Sequence, residues 1–171
     1  MNVRPAIPED VPLVLPMVAK IAAYHENLDP AKYGYRDHPE ELYRHWLTPR
    51  ATDPRSVFLV ADATTAGEEK KLAGFLVGTV EKEIPIYRLS EFGFVHDVWV
   101  DEDYRNEGLA RQMVTLAIER FGAIGVKQIR LDVVFHNGPA HGLFAACGFR
   151  ESIFEMLLEL PAGPSRSTIH P

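Results

Sequence analysis

The chain has 171 residues, of which 46% are hydrophobic and 25% charged, as in an ordinary soluble domain with a substantial core. Its 18 Lys and Arg residues against 24 Asp and Glu residues give a net charge of -6, which argues against a nucleic-acid or anionic-membrane partner. The single cysteine, Cys147, excludes an internal disulfide framework, and the lack of a cysteine cluster predicts no metal site. Neither an apolar span of about 20 residues nor an apolar signal core is present, so we expect a cytoplasmic protein.

The first half of the chain contains both helical and extended patterns. Apolar residues recur at helical spacing from Val11 to Ala22, and Pro16 is expected to kink this helix. Pro39 is followed by acidic residues, a combination typical of a helix N-terminus. Farther along, two runs of β-branched and aromatic residues flank a turn-like segment, which indicates a hairpin. The predicted elements are a strand at residues 2–6, helices at 11–22 and 39–47, and hairpin strands at 57–61 and 72–80.

The second half predicts strands that alternate with helices. Gly122 and Gly125 close one helical pattern, and Gly148 closes another. The predicted elements are strands at residues 92–100, 128–135 and 153–160, and helices at 109–121 and 139–147. Together they indicate one α/β domain over residues 1–160, with a mixed sheet and helices on both faces. Residues 161–171 lack apolar periodicity and are expected to form a flexible tail.

The segment from Val98 to Ala110 joins a strand through a loop to a helix, and it is the most informative part of the chain. The free N–H groups and the dipole of a helix N-terminus favour an anion, and Gly108 and Ala110 carry too little side chain to block a phosphate. A pyrophosphate would fit at this position. The segment is neither a Walker loop nor a G-x-G-x-x-G fingerprint, which argues against ATP and NAD.

Two motifs in this half resemble those of the GCN5-related N-acetyltransferase (GNAT) family. Arg105, Gly108 and Ala110 match the family's acetyl-CoA signature [Q/R]-x-x-G-x-[G/A]. A second family motif is matched by Asn137, Ala140, Leu143, Phe144, Gly148 and Phe149. The resemblance covers residues 2–160. It implies a mixed, mostly antiparallel sheet of about six to seven strands with helices on both faces.

The resemblance also implies acetyl-CoA as co-substrate and assigns residues to it. The edge of Val98, Trp99 and Val100 would pair with the pantetheine arm, and the Val98 N–H is the candidate oxyanion donor. Asn137 would hydrogen-bond the pantetheine, and Phe144 would lie near the thiol. The CoA pyrophosphate would be held by the backbone N–H groups of Arg105, Asn106, Glu107, Gly108, Leu109 and Ala110.

A base is expected, because an alkylamine is almost entirely ammonium at pH 7. Strand alternation predicts that His96 shares a face with Val98 and Val100 while Asp97 points the other way, although a bulge could swap them. We take His96 as the first candidate, since its ordinary pKa suits a base at neutral pH. A buried histidine satisfied by a backbone carbonyl is the alternative.

The expected general acid is missing. Many family members have a tyrosine at the position of Phe144, which cannot donate a proton. Water, Tyr104 or Tyr24 could protonate the leaving thiolate instead. Glu107 is a second departure, because a carboxylate there should repel phosphate unless it points to solvent.

The acceptor is predicted from aromatic and acidic residues outside the two motifs. Tyr24, His25 and Tyr87 belong to an aromatic and mildly acidic set of residues, and the first helix resembles that of diamine acetyltransferases of the family. The main hypothesis is therefore transfer of acetyl to the amine of a small molecule. The alternatives are a protein or peptide N-acetyltransferase and a CoA-binding sensor with little turnover. Family members often form homodimers, but no feature of this sequence indicates one.

Overall fold

The computed structural model describes residues 1–160, and the predicted tail at 161–171 lies outside the described residues. Helices are found on both sides of one sheet, as predicted. No helix in the described part of the chain is both long and apolar enough to cross a membrane. In chain order the elements are β1 (Asn2–Pro5), α1 (Val11–Leu28), α2 (Pro39–Arg50), β2 (Val57–Asp62), β3 (Leu72–Lys82), β4 (Glu91–Val100), α3 (Leu109–Ile124), β5 (Ile129–Leu131) and α4 (Gly138–Ala146), with short 3-10 turns at Pro8–Asp10 and Glu102–Tyr104.

The sheet is mixed and mostly antiparallel, which confirms the predicted type. Its strand order is β1-β2-β3-β4-β5, and only the β4–β5 pair is parallel. The described residues form five strands, so the expectation of six to seven was wrong. The parallel pair results from the crossover through α3, because a parallel connection needs a helix to return the chain.

Two apolar cores cover the two faces of the sheet. On one face, α1 and α2 pack around fully buried residues such as Val14, Leu47 and Phe75. On the other face, α3 places Met113 and Phe121 against the sheet, both without exposed surface. The period-3.6 pattern of each helix thus meets the period-2 pattern of the strands.

The helices extend farther than their sequence patterns predicted. The first helix continues through Pro16 to Leu28, and the second reaches Arg50 with Pro49 inside it. Proline removes one intrahelical hydrogen bond. Burial of the α1 side chains around Pro16 offsets that loss, since Leu15, Met17 and Val18 are each at most 5% exposed.

Two predicted strands do not form as expected. β5 contains only Ile129–Leu131 instead of residues 128–135. Residues 153–160 form no strand, and Phe154 and Met156 are 70% and 95% exposed. Apolar composition predicts a strand only if the backbone finds a hydrogen-bonded neighbour, and this segment has none among the described residues.

Candidate active site

The sheet opens between β4 and β5. Parallel pairing joins Gly93–Val95 to Ile129–Leu131 and then stops, while β4 continues to Val100. One edge of residues 96–100 therefore has no strand partner within residues 1–160. This is the edge where the sequence analysis expected the pantetheine arm.

A β-bulge lies at the point where the strands separate. In the β3–β4 ladder Gly78 pairs with Val95 and Val77 pairs with Asp97, so His96 is the extra residue. The bulge places His96 and Asp97 on one face, against Trp46 and Tyr43 of α2.

The predicted facing of His96 is therefore wrong. Val98 and Val100 pack with the α3 core, on the face opposite the His96 contacts. The extra residue resets the alternation, so that His96 and Asp97 do not point to opposite sides.

The imidazole of His96 is partly buried and hydrogen-bonded. Its ring lies 4.8 Å from the Trp46 ring and 5.0 Å from the Phe94 ring. Its Nε2 atom lies 2.7 Å from the Thr79 hydroxyl, and that hydroxyl donates to Glu81 at 2.5 Å. Burial lowers the pKa of His96, although the nearby Glu81 acts in the opposite direction. The ring is therefore a neutral base at pH 7.

Asp97 is held differently. Its carboxylate accepts a hydrogen bond from the Tyr43 hydroxyl. Burial raises the pKa of Asp97, and the Tyr43 hydrogen bond opposes that rise. Burial and the same carboxylate also raise the pKa of Tyr43, which therefore stays protonated as a donor. Because this acid is bound to a neighbour from α2, it is less free to take a proton than His96.

The loop after β4 presents a row of free backbone donors. The N–H groups of residues 106–111 hydrogen-bond to no acceptor among the described residues, and no side chain caps α3. Asn106 and Gly108 both adopt the left-handed conformation, with φ of 66° and 77°, and turn the chain into the helix. A Cβ at Gly108 would meet nothing within 4 Å, so space remains beside these donors. The loop fits a phosphate group, and Glu107 is exposed.

The side chains of Arg105 and Trp99 support the loop. The Arg105 guanidinium donates from Nε to the carbonyl of Val100 and stacks 4.8 Å from the Trp99 ring. Trp99 is buried in the α1–α2 core and donates from Nε1 to Asp101, which also binds Lys20. Any contact of Trp99 with a ligand on the β4 edge is therefore through its backbone.

Asn137 and Phe144 are both on the α4 side of the opening. Asn137 caps α4 by accepting from the Ala140 N–H at 3.3 Å, and the Tyr24 hydroxyl lies 3.4 Å from the same Asn137 oxygen. Only the amide NH2 of Asn137 is left for a ligand. Phe144 is partly buried, with its ring 5.7 Å from that of Phe149.

A row of aromatic rings begins near the C-terminal end of α1 and continues in the segment that follows this helix. Successive ring pairs from Tyr24 through His25 and Tyr33 to Tyr35 have centroids 5.0 to 6.3 Å apart. Burial raises the pKa of Tyr35 at the end of the row, and the charge of Asp97 acts in the same direction. Tyr87 is 58% exposed and makes no ring contact or side-chain hydrogen bond with this row in residues 1–160. The structure thus brings together Tyr24 and His25 but not Tyr87.

Comparison with known proteins decides the family. A model of the acetyltransferase (GNAT) family matches residues 21–149, which is most of the chain. The chain belongs to the GNAT family. Both motifs named in the sequence analysis fall inside the matched range, and this confirms the resemblance.

Individual relatives agree with the family assignment. The uncharacterized N-acetyltransferase YycN of Bacillus subtilis (strain 168) is 30% identical over 84 residues, which are 49% of this chain and 51% of that protein. The chain thus aligns with about half the length of that relative. A variant of the BH1408 protein from Bacillus halodurans has a TM-score of 0.78 at 21% identity, covering 94% of this chain and 100% of that one. The aminoglycoside antibiotic 6'-N-acetyltransferase from Acinetobacter haemolyticus has a TM-score of 0.66 at 15% identity, covering 95% and 100%. At these identities the two structures show a shared fold.

Four residues beside the bulge of this GNAT domain were not predicted from the sequence. Tyr43 and Trp46 come from α2, and Thr79 and Glu81 come from β3. Thr79 and Glu81 are two residues apart and face the same side, at the end of an otherwise apolar strand. Two polar residues at period-2 spacing at the end of such a run were the available signal.

Proposed function

We propose that the chain transfers the acetyl group of acetyl-CoA to a primary amine of a small molecule. The observation that carries this proposal is the position of His96. It is a neutral, partly buried base, and it is the first residue beyond the last β4–β5 pair. The free backbone N–H groups of residues 106–111 follow shortly after the end of the same strand.

The donor-binding assignments rest on the loop and on the open edge of β4. The backbone N–H groups of residues 106–110 would hold the pyrophosphate, and the edge of residues 98–100 would hydrogen-bond the pantetheine arm. The Arg105 N–H, also expected to take part, already donates to the Glu102 carbonyl at 3.2 Å. Asn137 would contribute its amide NH2, and Phe144 would give apolar contact near the thiol. Acetyl-CoA, when bound, supplies the activated acetyl group.

His96 would accept the proton of the substrate ammonium, so that a neutral amine is available. The amine nitrogen then forms a bond to the acetyl carbon, and the carbon–sulfur bond breaks to release the CoA thiolate. The second proton, which the nitrogen loses as it becomes an amide, goes to solvent or to that thiolate. The Val98 N–H would stabilise the negative charge on the carbonyl oxygen, a contribution typically worth about 3 kcal/mol. The proton on His96 returns to solvent.

The thiolate needs a proton from a group other than Phe144. Tyr24 is better placed than Tyr104, because its hydroxyl lies beside Asn137 at the opening of the sheet. Tyr104 packs with the α3 core and lies beneath the Lys71 ammonium. Water is the remaining donor.

The acceptor would be a cationic amine. The aromatic row ends near Asp97, and carboxylates of Glu26, Asp29 and Asp132 lie close enough to influence the tyrosines in it. Aromatic faces and carboxylates together favour an ammonium group. Tyr24 and His25 would contact this amine, whereas Tyr87 is exposed and makes no ring contact with the row among the described residues.

The test is CoA release from acetyl-CoA across a panel of amines, diamines, aminoglycosides and amino-terminal peptides. We expect turnover with at least one small amine and little with peptides. Preferred turnover of peptides would favour the protein N-acetyltransferase alternative. Tight acetyl-CoA binding without release of CoA with any amine would favour a sensor.

A further inference from the structure

A short chain of hydrogen bonds fixes the protonation pattern of His96. Glu81 as a carboxylate can only accept, so the single proton of the Thr79 hydroxyl points to Glu81 at 2.5 Å. The Thr79 oxygen then has only lone pairs to offer the His96 Nε2 atom at 2.7 Å. Nε2 must therefore carry a hydrogen.

We infer that Thr79 and Glu81 are positioning residues that hold His96 as its Nε2–H tautomer and leave Nδ1 as the proton acceptor. The catalytic consequence rests on the proposed function. The tautomer itself does not, because it follows from these three side chains alone. Nδ1 makes no hydrogen bond to any of residues 1–160, so its lone pair is free for a proton.

The burial of Thr79 makes the arrangement specific. Thr79 is only 7% exposed and cannot exchange its partners freely with water. The Glu81 side chain is 47% exposed, with an oxygen 3.8 Å from Nε2. When Nδ1 takes a proton, the imidazolium keeps its Nε2 hydrogen bond to Thr79. The negative charge of Glu81 then attracts the positive ring. The proton moves from substrate ammonium to Nδ1 and then to solvent, so charge and atoms balance.

Charged groups on every neighbouring element act on the same ring. Glu81 comes from β3, Arg50 from α2, and Asp132 directly follows β5. Asp97, the next residue on the strand of His96, is bound by Tyr43 of α2. Arg50 opposes protonation of His96, whereas Glu81 and Asp132 favour it. Glu81 is the one that also sets the direction of the Thr79 hydroxyl.

Two substitutions test the roles of Thr79 and Glu81 one at a time. Thr79→Val keeps the shape and removes the hydroxyl, so the acceptor that fixes the Nε2–H tautomer is lost and the ring returns toward the tautomer mixture of free histidine. Glu81→Ala leaves Thr79 free to donate to Nε2, which shifts the ring toward the Nδ1–H tautomer. Thr79→Ser restores the hydroxyl and should restore the wild-type state. Glu91→Ala is the matched control, because it removes a carboxylate at the neighbouring strand end without touching Thr79.

The first measurement is the His96 tautomer by long-range proton–nitrogen NMR on histidine-labelled protein, with the signal assigned from His96→Gln. We expect the Nε2–H pattern in the wild type, Thr79→Ser and Glu91→Ala, a shift to Nδ1–H in Glu81→Ala, and a partial change in Thr79→Val. An unchanged pattern in Glu81→Ala would overturn the inference. This readout requires no turnover, so it decides the tautomer even if the proposed function fails.

The second measurement is kcat for the amine that is turned over best, together with the acetyl-CoA dissociation constant. Partners that orient a metal-ligating histidine are typically worth about 10- to 100-fold, and we expect kcat to fall by a factor of that order in Glu81→Ala and by less in Thr79→Val. Acetyl-CoA affinity should stay within about twofold. A changed tautomer with unchanged kcat would refute the positioning role.

Discussion

At the residue scale, the proposed chemistry depends on which of two neighbours, His96 or Asp97, accepts the proton. Both His96 and Asp97 face α2, but Asp97 is bound by the Tyr43 hydroxyl and His96 keeps a free ring nitrogen. A free lone pair is what a base requires. The structure thus provides a reason for the choice of His96 that alternation alone did not give.

We predict that His96→Gln lowers kcat/KM for the amine by about 10²- to 10⁴-fold, the usual loss when a general base is removed. In the wild type kcat/KM should rise with pH through a limb below the ordinary histidine pKa of about 6.5, because burial lowers the pKa of His96. His96→Gln should lack that limb. The measurement is the pH profile of kcat/KM with acetyl-CoA saturating.

Asp97→Asn is the matched comparison for that experiment. It keeps the side-chain size and the Tyr43 contact, so activity should remain near the wild-type value. If Asp97→Asn is inactive while His96→Gln is not, Asp97 is the base. If neither substitution matters, water or another residue accepts the proton.

We predict that Phe144→Tyr leaves acetyl-CoA affinity within a few-fold of the wild-type value. Phe144 is only partly buried beside Phe149, so we expect the protein to accommodate the added hydroxyl. Turnover should rise if protonation of the thiolate limits the rate. Isothermal titration and steady-state rates give the two values, and a large loss of affinity would place Phe144 in a tight core instead.

At the scale of elements, we expect the junction of β4 with α3 to bind acetyl-CoA. Its donors are backbone groups, and the loop needs two residues with positive φ to turn. Side-chain identity therefore matters mainly where it fills space or adds charge.

We predict that Gly108→Asp abolishes acetyl-CoA binding, because it adds bulk and a negative charge beside the phosphate donors. Gly108→Asn is the control of equal size without charge, and asparagine tolerates the left-handed conformation. It should bind more tightly than Gly108→Asp, and Glu107→Ala should bind as well as the wild type or better. Isothermal titration decides, and equal affinity of wild type and Gly108→Asp would exclude this loop as the donor site.

The packing of α3 on the sheet depends on a glycine. A Cβ at Gly93 of β4 would lie 2.8 Å from the buried Phe121 ring of α3. We predict that Gly93→Ala lowers the free energy of unfolding by about 1 to 3 kcal/mol through overpacking.

Gly122→Ala is the control for this prediction. A Cβ at Gly122 would meet nothing within 4 Å, and alanine favours a helix, so we expect unchanged or higher stability. Urea denaturation measures both variants. Equal stability of Gly93→Ala and the wild type would show that Phe121 can move.

At the scale of the whole molecule, an ion cluster around the buried Asp10 ties the turn after β1 to the sheet. Asp10 has no exposed surface and contacts Arg4 and Lys70, each at 2.7 Å, while the N–H of Ile7 donates to it at 2.9 Å. Burial disfavours the charge on Asp10, but the hydrogen bonds from Arg4, Lys70 and Ile7 outweigh burial and hold its pKa below the ordinary value.

We predict that Asp10→Asn costs about 2 kcal/mol of unfolding free energy at pH 7, because Arg4 and Lys70 lose charge-assisted hydrogen bonds, while Arg4 keeps its ion pair with Asp62. A carboxyl with a lowered pKa stabilises the fold above its ordinary pKa, and this contribution is lost as pH falls through the lowered value. Wild-type stability should therefore drop below about pH 4, and the variant should show a shallower drop. Urea denaturation from pH 3 to pH 7 measures this, with Glu9→Gln as an exposed control; equal slopes for both variants would contradict it.

The sequence by itself determined the features that depend on neighbouring residues. Local periodicity predicted the α/β class and the order of helices and strands, since a helix or strand pattern repeats within a few residues. The two motifs, around Gly108 and Asn137, identified the family because each is a contiguous string. The tertiary structure decided what depends on pairing between distant segments. The bulge at His96, the early end of β5 and the contact of His96 with Thr79 all depend on which backbone groups of separate strands meet. Residues 17 positions apart carry no local pattern that records their hydrogen bond.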